Sequence, residues 1–291
     1  MPELPEVETV RLGLIQAVAK KRIVDVDIRQ EQLRFPVPTA RLHQDVVGRR
    51  IESIHRRAKY IIFQFSRGRS MLVHLGMSGK LFVTSPDAEM DKHDHVIFLL
   101  GSGEHLRFRD VRRFGMIDVC KTSELSHHPR LKDLGVEPLS DDFHLAYCLE
   151  RAKNSQRPIK NMLMDANVIV GLGNIYANEA LFAAKIHPQR DSGSLNEKEW
   201  RKLMEAIRSV LQEAIAQGGT TLQDEGFRNV LGTGGMFQFK LKVYGREGEK
   251  CPRCGRKIVR FVQQGRSSFV CRKCQRIKPR NHTEVHRKKG P

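Results

Sequence analysis

The sequence predicts an α+β fold in several domains: an N-terminal β-sandwich behind a leading helix, a helical C-terminal domain, and a four-cysteine zinc β-hairpin. Three observations support this prediction. Residues 23–120 contain many short apolar runs in which hydrophobic and polar residues alternate. Residues 196–217 carry apolar side chains at helical spacing. Two Cys-x-x-Cys pairs follow in the last fifth of the chain.

The leading helix is predicted over residues 5–18. Pro5 suits a first helical turn, and Val7, Val10 and Leu14 share one face. The strands predicted after this helix are the runs VDVDI, YIIFQF, MLVHLG, KLFV, HVIFLL, HLRFR and GMIDV. Many short strands without intervening helices favour an antiparallel sandwich or barrel.

The second half of the chain is predicted to be helical. The helix over residues 196–217 ends at a Gly-Gly pair, and a shorter helix near 176–184 follows a glycine turn. Residues 226–236 contain four glycines and predict a mobile loop. The predicted domains are the sandwich (1–130), a linker (131–150), the helical domain (151–239), the zinc hairpin (240–275) and a basic, flexible tail (276–291).

Composition bounds the function. Hydrophobic residues make up 40% of the 291 residues and charged residues 29%, which excludes a largely disordered chain. The net charge of +18 predicts a polyanionic partner, most simply nucleic acid. Residues 236–291 hold 17 Lys or Arg against 3 Asp or Glu, a net of +14, whereas residues 1–235 hold 34 against 30, a net of +4. The C-terminal region is therefore expected to anchor phosphates.

The chain lacks the signatures of a membrane or secreted protein. No apolar run approaches the roughly 18 residues that span a bilayer, and the N-terminus has no basic segment of the kind that begins a secretory signal. We therefore expect an intracellular protein without membrane contact. Cys120 and Cys148 lie in apolar runs and are interpreted as buried thiols.

Four cysteines predict a metal site. Two Cys-x-x-Cys pairs separated by 16 residues match a tetrahedral zinc site. The predicted ligands of one structural Zn²⁺ ion are Cys251, Cys254, Cys271 and Cys274. Four thiolates leave no open coordination position, so the site is structural rather than catalytic. The runs KIVRFV and SSFV predict a hairpin that presents Arg266 to a phosphate, although an ordinary exposed turn arginine is the alternative.

The N-terminus offers a possible nucleophile. Removal of Met1 would leave Pro2 as a secondary amine, which can form an iminium with a sugar aldehyde. Glu3 beside it can act as a general acid or base. On these residues alone, a proline and a glutamate that simply begin a helix remain the favoured alternative.

Several segments together resemble the bacterial formamidopyrimidine-DNA glycosylase family. They cover residues 1–275 in the family's order: MPELPEVETVR, RRAKY, HLGMSGKL, KHDHV, RRFG, LGVEPLSDDF, GLGNIYANEALF, GGTTL, KVYGREGEKC and the cysteine pairs. The resemblance implies a helix–two-turns–helix motif in the helical domain. It also implies a base-excision-repair enzyme that removes 8-oxoguanine and formamidopyrimidines from damaged double-stranded DNA and then cuts the abasic strand by β,δ-elimination.

The resemblance assigns catalytic roles residue by residue. It implies that Pro2 attacks C1′ of the damaged nucleotide and that Glu3 helps to open the sugar and moves protons. Glu6 corresponds to a second, supporting glutamate. Lys59 corresponds to a lysine that binds phosphate beside the lesion and assists β-elimination, and Arg266 to an arginine that acts in δ-elimination.

The resemblance also implies how DNA is held. Chemistry on a base requires the nucleotide to leave the stack, and Met77, Arg112 and Phe114 correspond to the residues that fill the resulting space. Apolar wedges and an arginine that bonds the orphaned base suit that task. The other implied backbone contacts are His93, Lys160 and Asn174. A monomer in the bacterial cytoplasm, associated with the nucleoid when bound to DNA, is expected.

Three departures from the family pattern keep alternatives open. Gln223 stands where a basic residue is common, the segment 224–239 is unusual, and the basic stretch at 153–157 is thinned. The tail 276–291 also runs past the usual end. One alternative is therefore an enzyme like endonuclease VIII that acts on oxidised pyrimidines, although Leu4 favours the purine enzyme. Another is a non-catalytic zinc-ribbon protein that binds nucleic acid.

Overall fold

A computed structural model describes residues 1–221, 230 and 234–277. The helices are α1 (Leu4–Val18), α2 (Thr39–Asp45), α3 (Leu145–Ala152), α4 (Ile159–Leu163), α5 (Asn174–Ala184) and α6 (Glu197–Ala216). The strands are β1 (Ile23–Ile28), β2 (Ile51–Arg57), β3 (Tyr60–Phe65), β4 (Arg69–His74), β5 (Lys80–Thr84), β6 (Asp94–Leu100), β7 (His105–Arg109), β8 (Met116–Lys121), β9 (Val259–Gln263) and β10 (Arg266–Val270).

The N-terminal half is the predicted antiparallel β-sandwich. One sheet has the strand order β1-β6-β7-β5 and the other β2-β3-β4-β8. Alternate side chains from both sheets, among them Phe63, Phe98 and Phe108, are fully buried between them. Helix α1 packs its Val7, Val10, Leu14 and Val18 face onto the same core, as the spacing of these residues predicts.

Two elements of this half differ from the prediction. Strand β2 has its buried residues Ile51 and Ile54 three positions apart, because a register shift after Ile51 interrupts the alternation. The expectation of no helix in this region was wrong for α2, which buries only Leu42 and so leaves no periodic apolar pattern in the sequence.

The helical half is built around α5 and α6. Asn196 accepts the Glu199 N–H at 2.9 Å and begins α6, and Trp200, Leu203 and Ile207 are fully buried on its inner face. Helix α3 begins at Leu145, so the end of the segment predicted as a linker is helical. The predicted domain boundaries stay predictions, as does the mobile glycine loop, most of which lies outside the described residues.

Helix α1 joins the two halves. Its first residue, Leu4, is fully buried in the apolar core of the helical half, whereas Val7 and the residues after it lie in the core of the sandwich. The Leu4 N–H also donates to the Gly171 carbonyl at 3.0 Å. The residues that precede Leu4 are therefore held at the junction between the two halves.

The last described segment is the predicted hairpin of β9 and β10. Gln264 and Gly265 form its two-residue turn with φ values of 46° and 72°, which suits a type I′ turn. The Glu179 carboxylate of α5 accepts the N–H groups of three consecutive residues, 242–244, at 2.8–2.9 Å. Asn178 accepts the Phe269 N–H at 2.8 Å. These bonds fix the hairpin to the helical half.

Within the described residues, no helix is both long enough and apolar enough to cross a bilayer.

Candidate active site and zinc centre

The Glu3 carboxylate is buried at the N-terminus of α5. It accepts the N–H of Gly173 at 2.8 Å, of Ile175 at 2.9 Å and of Tyr176 at 3.3 Å. The positive end of the helix dipole stabilises this carboxylate. These three N–H groups are already bonded to Glu3, so the phosphate contact predicted at Asn174 would have to use the side chain or the backbone N–H of Asn174 itself.

The glycine turn before α5 is required for this contact. A Cβ on Gly173 would lie 2.4 Å from Cδ of Glu3, so a side chain there would displace the carboxylate. Gly171 has a φ of 81°, and a Cβ on it would lie 2.7 Å from the Leu4 side chain. Glycine at both positions lets the N-terminal segment and the helix meet.

Glu6 is a second buried carboxylate beside Glu3. It accepts the N–H groups of Glu3 and Thr220, both at 2.8 Å, and the hydroxyl of Tyr176. Burial, and then the charge of Glu3, raise the pKa of Glu6. The sequence analysis did not single out Tyr176 or Thr220. Only the fact that a buried Glu6 carboxylate requires hydrogen-bond donors could have indicated them.

Lys59 lies beside these carboxylates, in the turn between β2 and β3. Its Nζ donates to the Leu172 carbonyl at 3.4 Å. Burial lowers the pKa of Lys59, Glu3 and Glu6 oppose that shift, and the charge of Arg266 adds to it. Lys59 is thus within electrostatic reach of three other predicted site residues that come from distant parts of the chain.

The predicted nucleophile, Pro2, lines a cleft. Its lining includes Pro2, Glu6, Met77 and Ile175. The structure therefore brings Pro2, Glu6 and one of the predicted wedge residues to a common surface. Their catalytic and DNA-binding roles remain predictions.

Glu137 holds the turn that carries Lys59. Its Oε1 accepts the Ala58 N–H at 2.7 Å, and its Oε2 accepts Nη1 of Arg56 at 2.7 Å. Nη1 of Arg57 lies 3.1 Å from Oε1. Ala58 has a φ of 54°, which is costly for a residue with a side chain and persists only when its surroundings enforce it. Glu137 was not singled out from the sequence.

The lowered pKa of His74, next to Lys59, is expected to make the stability of the fold depend on pH. Burial, Lys59 and Arg34 lower its pKa from 6.5 to about 4. The unfolded chain therefore binds a proton at this group before the folded chain does, and stability falls as the pH drops from 6.5 to about 4. We expect the free energy of unfolding, measured with urea, to fall more steeply with decreasing pH in the wild type than in His74→Asn. The difference in slope is at most about 1.4 kcal/mol per pH unit. Parallel pH profiles would contradict this.

The three predicted void-filling residues lie on adjacent loops. Arg112 and Phe114 are exposed between β7 and β8, and the Arg112 guanidinium carbon lies 4.9 Å from the centroid of the Phe114 ring. Met77 is half-buried between β4 and β5. Phenylalanine and arginine are enriched at interfaces, so this exposed pair is compatible with the predicted contact to another molecule.

The other predicted DNA contacts occupy different environments. His93 is half-buried with its ring edge against His95. Lys160 is only 1% exposed, and its Nζ donates to the Ser267 carbonyl at 2.7 Å and to Ser268 Oγ at 2.8 Å. Burial lowers the pKa of Lys160 to about 8. Lys160 thus supports the hairpin strand that carries the exposed Arg266, and its phosphate contact stays a prediction. Gln223 lies outside the described residues.

The four predicted zinc ligands converge. Their Sγ atoms all lie within 4.8 Å of one another, with 3.4 Å between those of Cys254 and Cys271 and 3.9 Å between those of Cys251 and Cys274. Zn–S bonds of about 2.3 Å in a tetrahedron place sulfurs about 3.8 Å apart. The cluster therefore fits one Zn²⁺ ion, and the chain has a zinc-binding centre of the structural type.

Comparison with protein-family models matches most of the chain. Residues 1–117 match the formamidopyrimidine-DNA glycosylase N-terminal domain, 134–225 match the H2TH domain of the same glycosylases, and 248–277 match a zinc finger found in these glycosylases and in isoleucyl-tRNA synthetases. The chain belongs to the formamidopyrimidine-DNA glycosylase family. The expected family, the sandwich, the helical domain and the zinc finger are thereby confirmed.

Curated members of the family match this chain in sequence over their full length. The formamidopyrimidine-DNA glycosylase of Acidithiobacillus ferrooxidans is 46% identical, and that of Dinoroseobacter shibae is 44% identical. In both comparisons the match covers 95% of this chain and 100% of the relative.

Solved structures of the family share the fold. The Fpg protein of Lactococcus lactis, in complex with DNA that contains an abasic site, has a TM-score of 0.87 and 35% identity over 94% of this chain and 100% of that chain. The MutM (Fpg) protein of Thermus thermophilus has a TM-score of 0.85 and 38% identity over 96% of this chain and 100% of that chain.

Proposed function

We propose that the chain is a bifunctional DNA glycosylase and abasic-site lyase that removes oxidised purines from duplex DNA. The observation that carries this proposal is that Pro2 lines a cleft with Glu6, while Glu3, its neighbour in sequence, and Glu6 both act electrostatically on the buried Lys59. A secondary amine, proton donors and a cation are the groups that amine-mediated base removal requires. Family membership supports the same conclusion.

The first step would form a covalent bond between protein and sugar. Once Met1 is removed, the Pro2 nitrogen attacks C1′ while the glycosidic bond breaks and the departing base takes up a proton. The Glu3 carboxylate then takes the proton that the attacking Pro2 nitrogen loses and passes it to O4′ as the C1′–O4′ bond breaks, which leaves an iminium between Pro2 and the open sugar. The anion-stabilising N–H groups around Glu3 keep this carboxyl group fixed beside the sugar.

The following steps would cut the strand. Loss of a C2′ proton from the iminium expels the 3′ phosphate, and a second elimination expels the 5′ phosphate. Lys59 would neutralise the phosphate beside the lesion, and Arg266 would do so from the hairpin. Bound zinc supplies no step of the reaction, and its four cysteines would hold the hairpin in place.

DNA would be bound with the damaged nucleotide turned out of the stack. Met77, Arg112 and Phe114 would fill the space, and the basic hairpin region would contact phosphates. We propose that the enzyme acts as a monomer on chromosomal DNA in the bacterial cytoplasm, since the curated relatives are bacterial proteins.

Borohydride trapping tests this function. We expect an 8-oxoguanine duplex to yield a covalent protein–DNA adduct, because borohydride reduces the iminium to a stable amine. Absence of both adduct and incision on this duplex would favour the non-catalytic alternative. Size markers with 3′-phosphate ends would show whether the second elimination follows the first.

A parallel thymine-glycol duplex tests lesion preference. The Lactococcus lactis protein has been solved with DNA that contains an oxidised pyrimidine, so purine preference has to be measured rather than assumed. We expect faster excision of 8-oxoguanine. Faster excision of thymine glycol would make this chain an oxidised-pyrimidine enzyme, with the same Pro2 chemistry.

A further inference from the structure

Two loops that carry the void-filling residues cross side by side from one sheet of the sandwich to the other. The loop 75–79 connects β4 to β5, and the loop 110–115 connects β7 to β8. Strand pairing puts their ends next to each other, because His74 pairs with Met116 and Lys80 pairs with Arg109. The backbones also touch, since a Cβ on Gly76 would lie 2.4 Å from the Phe114 carbonyl carbon.

A buried carboxylate bonds the two loops together. Asp110 is fully buried, and its Oδ1 accepts the Ser78 hydroxyl at 2.5 Å while its Oδ2 accepts the Gly115 N–H at 2.7 Å. Ser78 Oγ in turn accepts the Arg112 N–H at 3.0 Å. One hydrogen-bonded network therefore reaches all three void-filling residues. Met77 precedes Ser78, Phe114 precedes Gly115, and Arg112 joins the network through its own N–H.

The network is itself fixed to the sandwich. His95 Nε2 donates to the Asp110 carbonyl at 2.8 Å, and the Asp110 N–H donates to the His93 carbonyl at 3.1 Å. A buried carboxylate that accepts a hydrogen bond at each oxygen is held firmly, because breaking either bond leaves a buried group unsatisfied.

We propose that Ser78 and Asp110 are positioning residues that make Met77, Arg112 and Phe114 enter the duplex as one unit, and that this coupling sets the preference for the base opposite the lesion. The proposal rests on the proposed glycosylase function. A guanidinium only donates hydrogen bonds. The Watson–Crick edge of cytosine offers it two acceptors, whereas that of adenine offers one acceptor and one amine, so a fixed Arg112 favours cytosine.

The test compares excision of 8-oxoguanine opposite cytosine and opposite adenine by the full-length, zinc-loaded protein. Ser78→Ala removes both the hydroxyl donor to Asp110 and the acceptor for Arg112. We expect the cytosine-to-adenine rate ratio to fall by about fivefold, the effect of losing one hydrogen bond between the Arg112 guanidinium and the base opposite the lesion. Ser78→Thr keeps the hydroxyl, and we expect this variant to retain the wild-type ratio. Ser102→Ala, in an exposed turn, is the matched control and should not change it.

The ratio separates positioning from simple destabilisation. A variant that merely folds less well lowers both rates equally and leaves their ratio unchanged. A second measurement uses 2-aminopurine opposite the lesion, whose fluorescence rises when it unstacks; we expect a smaller rise with Ser78→Ala. A wild-type ratio and a wild-type fluorescence rise in Ser78→Ala would overturn the coupling, as would failure of Ser78→Thr to retain them. Absence of excision by the wild type on both duplexes would instead refute the proposed function.

Discussion

Acetylation of the mature N-terminus is expected to abolish the borohydride-trapped adduct and to reduce abasic-strand cleavage by about a thousandfold or more, as loss of a covalent nucleophile does. An acetylated nitrogen is an amide whose lone pair is delocalised, so it cannot attack C1′. Trapping on an abasic duplex, analysed by denaturing gel, measures the effect directly. Pro2→Gly is expected to fail in the same assay.

Pro5→Gly is the matched control for this experiment. Pro5 is also buried and lies in the first turn of α1, but its nitrogen is within the chain and cannot become a free amine. We expect Pro5→Gly to lower thermal stability and to retain trapping. An adduct that survives acetylation would mean that another amine is the nucleophile, and Lys59 would then be the first residue to replace.

Removing zinc is expected to have the second-largest effect. Four-cysteine sites of this kind depend on the metal for folding, and the small core that contains Val243, Ile258 and Phe269 is separate from the cores of the sandwich and of the helical half. Chelation would therefore displace Arg266 from Lys59 while the sandwich stays folded. Loss of one charge-assisted phosphate contact costs about 1.5–3 kcal/mol, roughly a 10- to 150-fold decrease in strand cleavage.

A cysteine outside the cluster provides the control for the metal experiment. Cys271→Ser is expected to lose both the metal, measured as zinc per chain, and the cleavage activity. Cys148→Ser changes a buried thiol outside the cluster and is expected to keep one zinc. Returning zinc to the chelated wild type should restore activity. Full cleavage by a zinc-free protein would show that the hairpin takes no part.

Features that depend on local spacing were predictable from the sequence. The zinc centre follows from two cysteine pairs, and α6 follows from a buried stripe that begins at Trp200. Strand β2 was missed because the register shift after Ile51 disrupts its alternation, and α2 because a helix with one buried residue leaves no pattern. Local deviations of this kind are determined by tertiary packing, which sequence periodicity does not report.

The candidate site was predictable in its membership but not in its contacts. Resemblance to the family supplied Glu3, Glu6 and Lys59. It did not indicate that the Glu3 carboxylate closes the N-terminus of a helix some 170 residues away, nor that Glu137 holds the turn at Lys59. Nor did it indicate that Lys160, an implied contact to the DNA backbone, is buried under the hairpin.

The junction made by Leu4 has a consequence for the two halves of the molecule taken separately. Because α1 is embedded in both cores, the segment that carries Pro2, the proposed nucleophile, is fixed by both halves of the molecule. Separation of the halves would withdraw the Glu3 carboxylate from the N–H groups of Gly173, Ile175 and Tyr176. A sandwich fragment expressed by itself would therefore carry Pro2 and Glu3 without the donors that hold Glu3 in the intact chain.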